Sequence, residues 1–228
     1  MQIVAARTLN SLYIYLDIIW LVLFCSLLLY FKRRLAVLVG LLAGVLYFLV
    51  DYGIFFRLLG TRSVQGADPF WFLLWLSFSY GCTNFAWIWL LLDRNGHPVE
   101  WSVLIITAWL AISLLSQNFA DGFPVITIQR STGAYHGVMA AILFIGYFYI
   151  IVQNLRCKEK INILWLMAIG IGVQFSWEAV LLITGIRPAG IGALLVNSLI
   201  ETNLGLPYIF FIHRAVTNKI NRKGQSLS

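Results

Sequence analysis

Charge is scarce in this chain. Of its 228 residues only 11% are charged, whereas 61% are hydrophobic, and the mean hydropathy is +0.85. Soluble domains carry about 25% charged residues. A soluble domain is excluded, because so much apolar surface cannot be hidden in one small core. Cysteine is scarce too. Cys25, Cys82 and Cys157 are too few and too scattered for a disulfide framework or a metal site, and read as small apolar residues. The three histidines, His97, His136 and His213, lie near the ends of apolar runs. They form no HExxH and no pair able to hold a metal, so no metal site is expected.

Other motifs are missing as well. The sequence has no Walker A loop, no dinucleotide-binding glycine pattern and no Gly-x-Ser-x-Gly elbow. Its last apolar run has no lysine, which argues against a retinal Schiff base. No cofactor is implied. No cleavable signal peptide is expected, because the first apolar segment is long and its basic residues follow it.

What is present is a series of long apolar runs. Breaks at charged and Gly/Pro/Asn-rich stretches predict seven spans, at 10–31, 35–59, 69–92, 99–117, 134–154, 161–185 and 190–213. Each is long enough to cross a bilayer of ~30 Å at 1.5 Å per residue. The runs do not alternate as barrel strands would. The expected class is an all-α, polytopic, multi-pass membrane protein in the cell membrane, forming one domain over 1–228. The linker at 118–135 is long for a bundle and is placed to cover the mouth of a cavity.

The net charge of +7 sits in short runs beside the spans, so no nucleic-acid partner is expected. One side collects Lys32, Arg33, Arg34, Arg94, Arg156, Lys158, Lys160, Arg214, Lys219, Arg222 and Lys223. The other has Arg7, Arg57, Arg62, Arg130 and Arg187. The positive-inside rule then predicts the N-terminus outside and the C-terminus inside. Residues 214–228 read as a solvated cytoplasmic tail, or as a basic contact with anionic lipid.

A weak repeat is visible. "SYGCTNFAWIW" (79–89) and "SLIETNLGLPY" (198–208) share Ser79/Ser198, Thr83/Thr202 and Asn84/Asn203. "VDYGIFFRLLGTR" (50–62) and "WEAVLLITGIR" (177–187) both place an acid before Gly-x-Arg. These echoes suggest a 3+1+3 plan. Residues 10–92 and 134–213 would be parallel three-helix repeats, joined by a linker helix at 99–117, with a site at their interface.

Acids inside apolar spans are costly and need compensation. At 1.5 Å per residue, Asp51 and Glu178 lie about 25 Å and about 27 Å from the basic ends of their spans. Glu201 enters from the other side to a depth of about 18 Å, near the midplane, with no cation at that level of its own helix. Asp17 sits about 10 Å in, at a level that headgroup water can reach. Asp51, Glu178 and Glu201 are the candidate catalytic acids of a polar cavity in the outer half. Asn84, Asn203, Gln174, Trp177, Tyr208, Arg62 and Arg187 are the candidate substrate-binding residues. Ion pairs of Asp51 and Glu178 with Arg57, Arg62 or Arg187 are the structural alternative. Asn84 and Asn203 also suit interhelical hydrogen bonding. Pro207 frees the carbonyl of Asn203 and favours a kink there.

Two clusters resemble the small seven-span integral membrane terpene cyclases of fungal meroterpenoid and indole diterpene pathways and their bacterial relatives. "YFKRRLAVLVGLLAGVLYFLVDYG" (30–53) offers Asp51 at the family's first acid, and "IETNLGLPYIFFIHR" (200–214) offers Glu201 at the second. The first acid is Asp rather than Glu and lacks the preceding Trp; the Trp-Glu pair occurs instead as Trp177-Glu178. The resemblance implies an acid-initiated cyclase or isomerase acting on an isoprenoid or other lipid-like substrate, with aromatic faces stabilising cationic intermediates. The 3+1+3 plan, with Asn84 and Asn203, also resembles SWEET and PQ-loop transporters, although their Pro-Gln dipeptide is absent. Three readings stay open: enzyme, small-solute transporter or receptor, and non-catalytic membrane subunit. The expected partners are the bilayer and a lipid or lipid-like small molecule.

Overall fold

The computed structural model describes the chain except residues 1–3, 95–96, 132–134, 157–159, 189 and 226–228. The side chains of 4–6, 131, 191, 193, 201–202 and 221–225 also lie outside the description. The helices are α1 (Ser11–Tyr30), α2 (Arg34–Phe48), α3 (Pro69–Asp93), α4 (Pro98–Asn118), α5 (His136–Arg156), α6 (Ile163–Ile183), α7 (Ile191–Val196) and α8 (Thr202–Gln225). α2 runs on into a π-helical segment, Leu49–Leu58, and α7 joins α8 through another, Asn197–Glu201. These joined pieces make seven rods. Six contain runs long and apolar enough to cross a membrane: 11–30, 34–58, 98–118, 136–156, 163–183 and 194–220. The protein is therefore a multi-pass helical membrane protein.

Local chemistry sets the helix starts. The side chains of Asn10, Asp68 and Asn162 accept hydrogen bonds from the backbone N–H of Tyr13, Trp71 and Trp165. Each thus satisfies one amide that the first helical turn leaves unpaired. Pro69 and Pro98 occupy first-turn positions, where a missing N–H costs nothing.

The seventh rod, α3, is the hub, and it explains its own lower hydropathy. It is buried on every side, from Phe72 to Leu92, and carries Ser77, Ser79, Thr83 and Asn84 against its neighbours. The surrounding helices instead turn large apolar side chains outward, among them Val22, Leu46, Phe144 and Leu164. A soluble protein would not expose such a belt; lipid accommodates it. Between α2 and α3 the backbones touch. A Cβ on Gly81 would lie 2.7 Å from Cα of Gly44. Only glycine permits that approach, the small-residue packing of membrane helices. Gly146 of α5 meets Pro207 of α8 in the same way, and Gly170 of α6 meets Asn203.

The all-α expectation needs a correction. Strands β1 (Val4–Asn10), β2 (Arg62–Gln65) and β3 (Val125–Ser131) form an antiparallel sheet in the order β1-β3-β2. All three precede or follow helices at the same end of the bundle, so the sheet caps that end. β3 comes from the long 118–135 linker. Beyond the predicted last span, α8 continues to Gln225.

Candidate functional site

The strand register determines what the cap presents to the bundle. Arg7 pairs with Ile128, Leu9 with Ile126, Arg62 with Arg130 and Val64 with Ile128. Side chains alternate along a strand, so these residues share one face. Leu9, Ile126 and Ile128 are buried, whereas Thr8, Gln129, Ser63 and Gln65 on the other face are exposed. The inward face therefore carries three arginines on an apolar ground. Arg62 and Arg130 stand directly opposite each other, a like-charge pair that destabilises a sheet unless something offsets it.

Two carboxylates do part of that. Arg62 Nη1 donates to Asp51 Oδ1 at 2.9 Å, across to the π-helical end of α2. Arg7 Nη2 donates to Glu178 Oε1 at 3.0 Å. The same oxygen accepts from Arg187 Nη2 at 2.8 Å, Asn197 Nδ2 at 3.1 Å and Gln174 Nε2 at 3.2 Å. Arg187 Nε also lies against Oε2. Tyr80 Oη donates to Gln174 Oε1 and extends the network into α3. Both π-segments serve this layer, one through Asp51 and one through Asn197. Extra residues in a helical turn re-aim side chains, and such turns recur at functional sites. Desolvation holds Arg62, Arg130 and Arg187 below the usual guanidinium range. Asp51 opposes this at Arg62 and Arg130, and Glu178 opposes it at Arg187 and Arg130.

Beneath the sheet lies a cavity of about 250 Å³. Its charged lining is Arg7, Arg62, Arg130 and Asp51. Its walls are apolar and aromatic: Leu46, Tyr47, Phe55, Leu76, Tyr80, Phe85, Met139 and Leu204. They come from α2 and α3 on one side and from α5 and α8 on the other. The rings of Phe55 and Tyr135, 5.8 Å apart, meet across the seam between these pairs. Among the described residues, no group of three or more His, Cys, Asp or Glu side chains is placed to hold a metal.

The site residues expected from sequence fall into three sets. Asp51 and Arg62 line the cavity. Glu178, Arg187, Gln174 and Trp177 lie behind its wall. Trp177 packs edge-on against Trp109, with ring centroids 4.7 Å apart, and also meets Tyr80. The third set lies apart from the cavity. Asn203 accepts from Tyr147 Oη at 2.6 Å, fastening α5 to α8. Tyr208 donates to the carbonyl of Ile142 at 2.8 Å and is partly exposed on the outer surface. Asn84 is fully buried in α3 with no hydrogen-bond partner on either side-chain atom. The Glu201 side chain lies outside the described residues. Arg57, offered as a partner for the acids, instead donates to Tyr52 Oη.

Arg7 and Arg130 were missed as site residues. They were legible only as outer-side charges, because their roles depend on strand pairing across more than a hundred residues. The alternation in "ITIQR" (126–130) was a signal that could have placed Arg130 on a sheet face.

Asp17 corrects another expectation. It is not in reach of headgroup water but fully buried, accepting from Trp75 Nε1 at 2.9 Å, with the Ser79 hydroxyl beside it. Cys25 and Cys82 are free thiols with their sulfurs 3.8 Å apart across α1 and α3; Cys157 lies outside the described residues.

The fold and this layer define a class, a multi-pass helical membrane protein with an arginine-rich cavity under a β-cap. No family model, no curated protein and no solved structure matches the chain.

Proposed function

We propose that this protein binds a lipid-like molecule with an acidic head, seated in the cavity beneath the sheet. The observation that carries the reading is the convergence of three arginines on one cavity. Arg7, Arg62 and Arg130 line it together with Asp51, above apolar and aromatic walls. Guanidinium groups gathered on one cavity attract an anionic head group and offer it charge-assisted hydrogen bonds. Planar guanidiniums suit carboxylate or phosphate oxygens. The aromatic and aliphatic walls below would take the start of an apolar chain, and the Phe55–Tyr135 seam is the side from which it would enter. The distribution of basic residues supports the sheet side as the outer face of the cell membrane, with the C-terminus inside. The 3+1+3 plan fits a cavity shared by α2–α3 and α5–α8.

The test is a thermal-shift titration of the purified chain in neutral detergent. Farnesyl monophosphate is expected to raise Tm and farnesol to have little effect. Arg130→Gln is expected to weaken the phosphate compound about tenfold, equivalent to about 1.4 kcal/mol. Equal shifts from the two compounds, or unchanged affinity in Arg130→Gln, would overturn the reading.

Acid-initiated isoprenoid cyclisation is the second reading, favoured by Asp51 standing on a wall with Tyr47, Tyr80, Phe55 and Phe85. Its difficulty is that Arg62 already claims Asp51. If Asp51 is the proton donor, Asp51→Asn abolishes turnover of an isoprenoid epoxide while ligand binding persists. Carrier function is less favoured, because Trp87, Trp109 and Trp177 pack the bundle below the cavity.

A further inference from the structure

A second pocket, of about 320 Å³, lies at the end of the bundle opposite the sheet, among the end of α3, the start of α6 and the last turns of α8. Nothing in the outer cavity's chemistry requires it. Arg94, Lys160 and Arg214 line it, together with His213, Asn162 and Trp165, and its described lining residues include no carboxylate. The nearest described acid, Asp93, is already engaged. It accepts from His213 Nε2 at 2.7 Å and lies 3.9 Å from Arg33.

The local backbone builds this arrangement. Arg94 ends α3 in the left-handed region at φ 53°, which turns its side chain out of the helix line. Its guanidinium then sits over the Trp165 ring, 5.5 Å from the centroid. The stacking holds the fork in place without using its N–H donors. Lys160 donates to the carbonyl of Asn154, which keeps its ammonium beside the start of α6. Asn162 caps that helix, whose first amides add positive partial charge. A tryptophan, an arginine and a lysine at the end of membrane-crossing helices mark the level where headgroups lie.

We propose that this pocket binds a phosphate group at the basic end of the bundle. The group is the phosphodiester of an anionic phospholipid or a free phosphate, both recognised by the same guanidinium and ammonium donors. It is a separate site from the cavity under the sheet, and its failure would leave that reading untouched.

The experiment uses the full chain in phosphatidylcholine nanodiscs. Phosphatidylglycerol is titrated in one arm and inorganic phosphate in the other, with occupancy read by native mass spectrometry. The Arg94→Gln/Lys160→Gln double variant is expected to lose about tenfold in phosphatidylglycerol affinity, the scale of lost charge-assisted hydrogen bonds. Lys219→Gln, an exposed change on α8 outside the pocket, is expected to leave it unchanged. Should the double variant fold poorly, Arg94→Lys serves instead. It keeps the charge but loses the planar stack, and should weaken binding about threefold. Inorganic phosphate competing with the same dependence on Arg94 would assign a soluble source, and its failure to compete would assign the lipid. Retention of affinity within twofold by the pocket variants, or an equal loss in Lys219→Gln, would overturn the proposal.

Discussion

Glu178 and Asp17 are both fully buried carboxylates in apolar helices, yet their surroundings are opposite. Glu178 gathers donors from Arg7, Arg187, Asn197 and Gln174, drawn from a strand, a loop, a π-segment and its own helix. Asp17 has only neutral donors, the Trp75 indole N–H and the Ser79 hydroxyl, and no salt-bridge partner among the described residues. A carboxylate that collects two guanidiniums becomes the fastening point of a layer. A carboxyl held by neutral donors of one neighbour fastens only the two helices that share it. The first arrangement makes the sheet and the bundle one unit; the second is a local contact between α1 and α3.

The largest test of that contrast is Arg187→Met. Breaking one side of a buried pair strands the other charge, and the expected loss is about 3–5 kcal/mol, read as a lowered midpoint in denaturant titration of the detergent-solubilised protein. Trp75→Phe comes next. It removes the indole donor and leaves Asp17 only the Ser79 hydroxyl, and should cost about 2 kcal/mol by the same titration. Arg7→Met should cost about 1.5 kcal/mol, because Glu178 keeps Arg187, and it should also weaken farnesyl monophosphate binding. The smallest effect is expected for Asp17→Asn, within about 1 kcal/mol, since an amide oxygen still accepts from Trp75. An Asp17→Asn loss equal to that of Arg187→Met would break the comparison. Additive losses in an Arg7→Met/Arg187→Met double variant would blunt it, because groups sharing one oxygen should couple.

The rods were legible in the sequence because bilayer thickness imposes one length on every apolar run. The run predicted at 10–31 is α1 at 11–30, and that predicted at 35–59 is α2 with its π-segment at 34–58. The cap was not legible as a sheet. β2 is four residues long, and β1 and β3 find their partners only in three dimensions. For the same reason the acids stood out and the arginines did not. An acid inside a span is anomalous from composition alone, whereas Arg7 and Arg130 sit where positive charge is ordinary. The suspicion that Asp51 and Glu178 pair with Arg62 and Arg187 could be formed from spacing. That Arg7 reaches Glu178 from a strand 171 positions away could not.

The strand order β1-β3-β2 also has a consequence for biogenesis. β1 emerges first, yet its partner strand β3 begins roughly 115 residues later. At synthesis rates of about 5–20 residues per second, that wait is on the order of 6–23 s. β2 faces the same delay in part, since it too pairs with β3. Four helices, α1 to α4, are therefore synthesised before the strands can pair with one another. The roof over the cavity is laid only once α4 is in place.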